Sequence, residues 1–159
     1  MTRTKKQTIK LSMTSNTIVV DTNIIVSLLN QRDATHKVVF NLLKKLEEQR
    51  ATFLLNSLIL AEICTVLLLR SKSVQLATDA RKLLTSPGGN FSIVPFTEEL
   101  EKETYQLFTA QTKPRLSVAD CSLLAQVEMN DAAKIFTLDK ELWTAAQSRG
   151  LNPYIFPRS

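Results

Sequence analysis

A short β-branched segment, residues 17–20, ends abruptly in a carboxylate, Asp21. Two small polar residues, Thr22 and Asn23, follow, and then an apolar-periodic segment that is typical of a helix. A buried strand, a polar break and a helix form the first unit of a parallel α/β sheet. Such sheets bind their ligands beyond the carboxyl ends of the strands, so Asp21 lies where chemistry is expected.

The rest of the chain continues this alternation of strands and helices. Residues 52–55, 91–94 and 134–137 predict further strands, and residues 154–156 predict a short edge strand. Amphipathic or capped segments predict helices over about 22–29, 35–50, 57–70, 74–84, 98–111, 117–129 and 139–149. This order predicts a three-layer α/β/α fold around a central, mostly parallel sheet of four to five strands.

The chain's positive charge is concentrated in its first 16 residues. The sequence has 159 residues and a net charge of +5, and its first 16 residues carry four basic residues and no acid. The remainder has 16 basic and 15 acidic residues, so its own charge is nearly balanced. We expect residues 1–16 to be a basic, disordered leader and residues 17–159 to form one domain. Met13 falls directly before residues 14–16 and the first predicted strand, and we hypothesise that it is the native start and that residues 1–12 are a dispensable extension.

Several classes of protein are disfavoured by composition. No apolar run reaches the length of a membrane span, because the longest, Leu58–Leu69, is interrupted by Glu62. The two cysteines, Cys64 and Cys121, lie in apolar contexts and indicate reduced core thiols in a cytoplasmic protein. With a single histidine, the chain cannot form a His-based metal cluster.

Glu62 is the least expected acid in the chain, because it is the one charge in the apolar run Leu58–Leu69. A helix that is apolar on almost every side is expected to be packed on most sides. An unpaired carboxylate there would cost several kcal/mol or become protonated. Glu62 therefore needs a cationic partner, for which Arg70 two turns later is a candidate, or a cavity that holds a cation.

Three further acids each have a plain structural interpretation. Ser117 and Asp120 have capping-box spacing, with Asp in place of the usual Glu or Gln. Asp139 directly follows a strand and suits an N-cap, and Asp21 could cap the helix after it. Taken singly, each of these residues is as well explained by capping as by ligand binding.

The four acids together favour a metal site. A parallel sheet brings Asp21, Glu62, Asp120 and Asp139 to one rim, where like charges raise each other's pKa unless a cation neutralises them. Oxygen ligands without His or Cys select Mg²⁺ or Mn²⁺. Such ions complete their coordination with substrate phosphates, which indicates metal-assisted hydrolysis of phosphodiester bonds.

With these motifs the sequence resembles the PIN domain family, and especially the VapC-type toxins of toxin–antitoxin pairs. The resemblance covers about residues 17–156 and rests on motifs that occur in order. These are Val19-Val20-Asp21-Thr22-Asn23, Leu60-Ala61-Glu62-Ile63, Leu116-Ser117-Val118-Ala119-Asp120 and Phe136-Thr137-Leu138-Asp139. One such motif occurs by chance, whereas the ordered set is specific.

The resemblance implies roles for particular residues. Asp21, Glu62, Asp120 and Asp139 would form the catalytic metal site for Mg²⁺ or Mn²⁺. Thr22, Asn23 and Thr137 would be polar supports that orient carboxylates or waters. The family further implies endoribonuclease activity on RNA, homodimerisation and neutralisation by a small antitoxin. Two departures are Cys121, where a small aliphatic residue is usual, and a closing motif that supplies only Asp139 as a ligand.

Two other functions stay open from the residues. A phosphotransferase with Asp21 as nucleophile is disfavoured, because that pattern has a second Asp where this chain has Asn23. A non-catalytic PIN-like module that binds RNA or protein is the second alternative. Basic side chains near the acidic motifs could hold phosphates or be ordinary surface charge; they are Lys113, Arg115, Lys134 and Lys140.

Overall fold

The computed structural model describes residues 16–113, 115–130 and 133–151, and the backbone of residues 153–154. The strands are β1 (Thr17–Val20), β2 (Thr52–Asn56), β3 (Phe91–Val94), β4 (Lys134–Phe136) and β5 (Pro153–Tyr154). The helices are α1 (Thr22–Leu29), α2 (His36–Glu48), α3 (Ser57–Ser71), α4 (Val74–Leu84), α5 (Glu98–Thr109), α6 (Val118–Glu128) and α7 (Lys140–Ser148). The predicted leader, apart from residue 16, and the predicted strand residues 155–156 lie outside the described residues.

The strands form one parallel sheet in the order β3-β2-β1-β4-β5. The predicted α/β/α fold class is therefore confirmed. The chain leaves β1 toward β2 and β3 and later returns to the other side of β1 as β4, so the strand order reverses at β1. Right-handed crossovers then assign α1–α4 to one face of the sheet and α5–α7 to the other.

The β-branched residues of β1 lie at the centre of the core. Ile18, Val19 and Val20 are inaccessible to solvent, and so are Phe53 on β2 and Phe136 on β4. Because β1 is flanked by strands on both sides, its backbone groups are satisfied by ladders with β2 and β4. The carboxyl end of β1 is accordingly a rigid position from which to present a side chain.

The prediction that α3 is packed on most sides is wrong for its last turns. Ile59, Ile63 and Leu67 face the core, but Leu68 is 39% exposed and Leu69 is 60% exposed. The apolar run therefore has a wet face as well as a buried one. None of the helices in the described residues combines the length and hydropathy that crossing a bilayer requires.

Candidate functional site

The strand order reverses between β1 and β4, which is where parallel sheets open a crevice for ligands. Asp21 follows β1 and is only 5% exposed, and its backbone N–H continues the ladder to the Phe136 carbonyl at 3.0 Å. Thr137 follows β4, is fully buried and donates its hydroxyl to Asp21 Oδ2 at 2.6 Å. The two strand ends thus fix the Asp21 carboxylate in one orientation.

The environment of Asp21 disfavours its charge. Burial, with smaller contributions from the charges of Asp120 and Glu62, raises the pKa of Asp21 from its ordinary value of 3.8 to about 7. The hydrogen bond from Thr137 opposes this rise in pKa without cancelling it. A cation that binds beside such a buried carboxylate stabilises its charged form.

Glu62 lies on α3, half-buried, and accepts a hydrogen bond from the Thr22 hydroxyl. Thr22 was expected to support the site, and its hydroxyl does contact an acid. Among the described residues Glu62 forms no ion pair with Arg70, although both side chains line one cavity. The Glu62 carboxylate is therefore satisfied by the Thr22 hydroxyl and by its exposure to the open cavity.

Asp120 is both a cap and a member of the rim. Ser117 Oγ accepts a hydrogen bond from the Asp120 N–H at 3.0 Å, and Asp120 Oδ2 accepts one from the Ser117 N–H at 2.7 Å. This is the predicted capping box of α6. Burial raises the pKa of Asp120, the Ser117 hydrogen bonds lower it, and the charge of Asp139 raises it. The box orients the carboxylate while leaving it open to the cavity.

Asp139 caps α7 by accepting hydrogen bonds from the N–H groups of Glu141 at 2.7 Å and Leu142 at 3.0 Å. Asn23 accepts a hydrogen bond from the Leu138 N–H at 3.1 Å, which ties α1 to the turn that carries Asp139. No side chain caps the first turn of α1. Asp21 therefore occupies the N-cap position of α1 without capping it through its side chain, and Asn23 contacts the turn before α7 rather than its own helix.

All four predicted acids line one open pocket of about 220 Å³, which we call the acidic pocket. Thr22, Asn23, Ser117 and Arg70 line it as well, and Arg70 is the one cation among its described lining residues. Thr137 supports Asp21 from beneath. The structure thus brings together four acids at one rim of the sheet: Asp21 between β1 and α1, Glu62 on α3, Asp120 on α6 and Asp139 at the start of α7.

In the described part of the chain, no three His, Cys, Asp or Glu side chains are grouped as a ready metal site. Each carboxylate is instead turned to a donor of the protein: Thr137, Thr22, Ser117 or the first turn of α7. Four like charges without a counter-ion also repel one another. Mg²⁺ is commonly held by only one or two carboxylates and several waters, so the donor set still fits that ion.

A buried polar network beneath the pocket was not predicted. Asn56, at the end of β2, caps α3 through the Ile59 N–H and donates to Ser122 and Gln126 on α6 at 3.1 and 3.0 Å. All three side chains are nearly inaccessible to solvent. The network joins the two helices that carry Glu62 and Asp120. The signal in the sequence that points to this network is an Asn directly after the predicted strand 52–55.

Arg115, one of the predicted basic residues, has a carboxylate partner in the protein. Arg115 Nη1 lies 3.0 Å from Glu141 Oε2. Arg149, on the same side, pairs with Glu128. Arg115, Arg149, Lys113 and Glu141 line an open cleft between the α5–α6 loop and α7, which we call the α7 cleft. Ion pairs therefore occupy both guanidinium groups of this cleft.

The chain belongs to the PIN domain family, whose model matches residues 18–147. It matches no curated protein. Its fold is similar to that of VapC20 of Mycobacterium tuberculosis, a sarcin–ricin loop cleaving toxin, with 20% identity, a TM-score of 0.70 and coverage of 89% of this chain and 99% of that one.

Two further solved structures share the fold. FitAcB of Neisseria gonorrhoeae is 20% identical, with a TM-score of 0.63 and coverage of 87% of this chain and 96% of that one. VapBC2 of Rickettsia felis, bound to a promoter DNA fragment, is 18% identical, with a TM-score of 0.59 and coverage of 87% and 97%. At these identities the likeness establishes the fold.

Proposed function

We propose that this chain is an Mg²⁺- or Mn²⁺-dependent endoribonuclease that hydrolyses RNA phosphodiester bonds. The observation that carries the proposal is the acidic pocket, in which four acids from four separate elements line a single small cavity. A carboxylate that served only as a helix cap would not need three other acids in the same cavity. Buried acids that share a cavity are stable as anions when a cation joins them.

In this proposal Asp21 is the central ligand, and Glu62, Asp120 and Asp139 complete the acidic site. When bound, the ion lowers the pKa of a water molecule, clamps the phosphate and neutralises developing charge. Thr137 holds the Asp21 carboxylate, Thr22 holds Glu62, and the capping box holds Asp120. Asn23 fixes the Asp139 turn relative to α1. These contacts supply the orientation that an acidic site requires before substrate arrives.

We further propose that the chain is the toxin of a toxin–antitoxin pair. The support is its PIN domain and its fold likeness to VapC20, VapBC2 and FitAcB. A small antitoxin protein would be its partner, and the protein would act as a cytoplasmic homodimer.

Cleavage of RNA by the purified protein tests the proposal. We expect cleavage with Mn²⁺ or Mg²⁺, none with EDTA, and a loss of at least about 1,000-fold in Asp21→Asn, which removes the central charge. Asp79→Asn, the same change at an exposed position on α4, is the matched control and should keep full activity. Cleavage that survives EDTA, or an active Asp21→Asn protein, would contradict the proposal.

A non-catalytic module that binds RNA or protein is the second candidate. The observation that favours it is the lack, among the described residues, of three acids already grouped as a metal site. Such a module would bind RNA equally well with Mn²⁺ and with EDTA and would leave the RNA intact. The nuclease would cut the same RNA only when the ion is present.

A further inference from the structure

A second cavity adjoins the acidic pocket. It has a volume of about 600 Å³, lies between the end of α1, the α1–α2 loop and the junction of α3 with α4, and carries Arg32 and Arg70. We call it the arginine pocket. Val26 and Arg70 line both cavities, so the two lie side by side. No acid is among the described residues that line the arginine pocket.

The two guanidinium groups have no ion pair among the described residues. The charge of Arg70 acts on one nearby carboxylate, Asp33. Asp33 makes no ion pair with it, and its Oδ1 instead accepts hydrogen bonds from the Thr35 N–H at 2.8 Å and the Thr35 hydroxyl at 2.6 Å. Arginine without a protein partner beside a cavity is the usual arrangement for recognising a phosphate.

The loop that carries Arg32 is braced before any ligand binds. Asn30 Oδ1 accepts a hydrogen bond from the Arg32 N–H at 3.2 Å, and the Asp33 N–H donates to the Asn30 carbonyl at 2.9 Å. Thr35 and Ser27 share a hydrogen bond of 2.8 Å between their hydroxyls, which fastens the loop to α1. A ligand therefore meets a loop whose ordering cost is already met.

The remaining lining has the mixed character that a nucleoside requires. Leu29, Leu67 and Leu76 supply apolar surface for a base or ribose face. Asn30 and Gln31 supply amide groups, which both donate and accept hydrogen bonds and so can read a base edge. An acidic peptide could also use the arginines, but it would not need a site beside the pocket proposed to cleave phosphodiester bonds.

The charge of the domain also favours a local phosphate-binding site. Four acids repel an approaching polyanion, and residues 17–159 carry 16 basic against 15 acidic residues, so no general positive field draws RNA in. Affinity must come from cations placed locally. Arg70 is the cation that the two cavities share, and it therefore marks the path of the strand between them.

We propose that the arginine pocket binds the nucleotide adjoining the cleaved phosphodiester bond of a single-stranded RNA, with Arg70 and Arg32 on phosphate oxygens. The inference rests on the proposed function and extends it from the reacting atoms to the substrate. It makes Arg70 and Arg32 binding residues of the nuclease.

Salt-dependent binding is the first test. The probe is a short fluorescein-labelled single-stranded RNA of mixed sequence, measured by anisotropy against the full chain in EDTA, which prevents cutting. Arg32→Ala and Arg70→Ala should each weaken binding about fivefold near 0.1 M salt and lower the slope of log Kd against log salt by about 0.7. Arg81→Ala, an exposed arginine of α4 that lines neither cavity, is the matched control and should change neither quantity. Site variants that behave like this control would overturn the inference.

A scan with neutral methylphosphonate linkages locates the contact. One linkage next to the mapped cut site should weaken binding to the unmodified protein and have no further effect in Arg70→Ala, because the two changes remove the same contact. Losses that add at every linkage would overturn the assignment. If the arginine variants lose a protein partner yet bind RNA normally, the pocket serves that partner and the inference also fails.

These outcomes separate the inference from the proposed function. If the unmodified protein cuts RNA with Mn²⁺ while Arg32→Ala and Arg70→Ala keep normal binding and normal kcat/KM, the nuclease stands and the inference fails. If no cutting occurs but RNA binding depends on both arginines, the nuclease fails, and only the assignment of the arginine pocket as an RNA-binding site stands.

Discussion

The acidic pocket and the arginine pocket share Val26 and Arg70 yet differ in how their charges are satisfied. Every acid of the first accepts a hydrogen bond from a donor of the protein. Neither arginine of the second has an ion pair among the described residues. The acids are therefore oriented by the protein itself, whereas the arginines stay available to a ligand of the kind proposed here.

The α7 cleft sharpens this comparison. It carries as many guanidinium groups as the arginine pocket, but Arg115 and Arg149 are paired with Glu141 and Glu128. Exposed pairs of this kind contribute little to stability, but they reduce the attraction for a polyanion. In the proposal, ion pairing rather than the number of cations therefore decides which of the two cavities holds RNA.

Because burial disfavours the charge of Asp21, Asp21→Asn should stabilise the metal-free protein. A raised folded pKa contributes stability below about pH 3.8 that is lost as pH rises through about 7. At roughly 1.4 kcal/mol per pKa unit, the rise from 3.8 to about 7 corresponds to about 4 kcal/mol. Urea unfolding in EDTA should therefore show a gain for Asp21→Asn that is larger at about pH 8 than at about pH 5. An equal gain at both pH values would show that burial does not disfavour the charge.

Glu62→Gln should separate catalysis from binding. Gln keeps the shape and can still accept from Thr22, but it lacks the charge that holds an ion. We expect kcat to fall about 100-fold with little change in KM. Glu48→Gln, on the exposed side of α2, is the matched control and should leave kcat unchanged. A rise in KM at constant kcat would instead place Glu62 among the binding residues.

The arginines should show the opposite kinetic effect. Arg70→Ala should raise KM about fivefold with a smaller change in kcat, since it removes a phosphate contact that precedes the chemical step. Arg115→Ala should raise KM by about twofold or less, because its charge is paired with Glu141. Equal effects of the two substitutions would remove the distinction between free and paired cations.

Ser117→Ala tests the double role of Asp120. Loss of the Ser117 hydroxyl removes the acceptor of the Asp120 N–H and should destabilise the protein by about 1 kcal/mol. The Asp120 carboxylate keeps its hydrogen bond from the N–H of residue 117, but the first turn of α6 that carries it is loosened. Thr97→Ala is the matched control, because Thr97 caps α5 through the Leu100 N–H at 3.2 Å and lies outside the acidic pocket. Both variants should lose similar stability by urea unfolding, and only Ser117→Ala should also lose cleavage. Normal cleavage by Ser117→Ala would make the capping box purely structural.

Most of the fold follows from local patterns. Helix starts at Ser73 and Thr97 and the break at residues 86–90 set boundaries that local chemistry alone determines. The capping interpretations of Asp120 and Asp139 were correct, yet both residues also line the acidic pocket. Capping and pocket lining were not exclusive, because a helix that begins at the rim of a sheet points its first turn into the crevice.

The arginine pocket could not be predicted in the same way. Residues 30–33 resemble an ordinary polar loop, and only the packing of α1 against α3, and of α3 against α4, brings Arg32 and Arg70 to one cavity. The eight-residue spacing of Glu62 and Arg70 does place them on one helix face, but it does not say whether they pair. That outcome depends on Thr22, which reaches Glu62 from another helix.

The proposed nuclease requires above all that Asp21 hold a divalent cation in the acidic pocket. Calorimetric titration of the full chain with Mn²⁺ measures this directly, without RNA and without turnover. We predict saturable heat for the unmodified protein and for Asp79→Asn, and none for Asp21→Asn. Equal Mn²⁺ binding by Asp21→Asn and the unmodified protein, or no binding by either, would contradict the central claim.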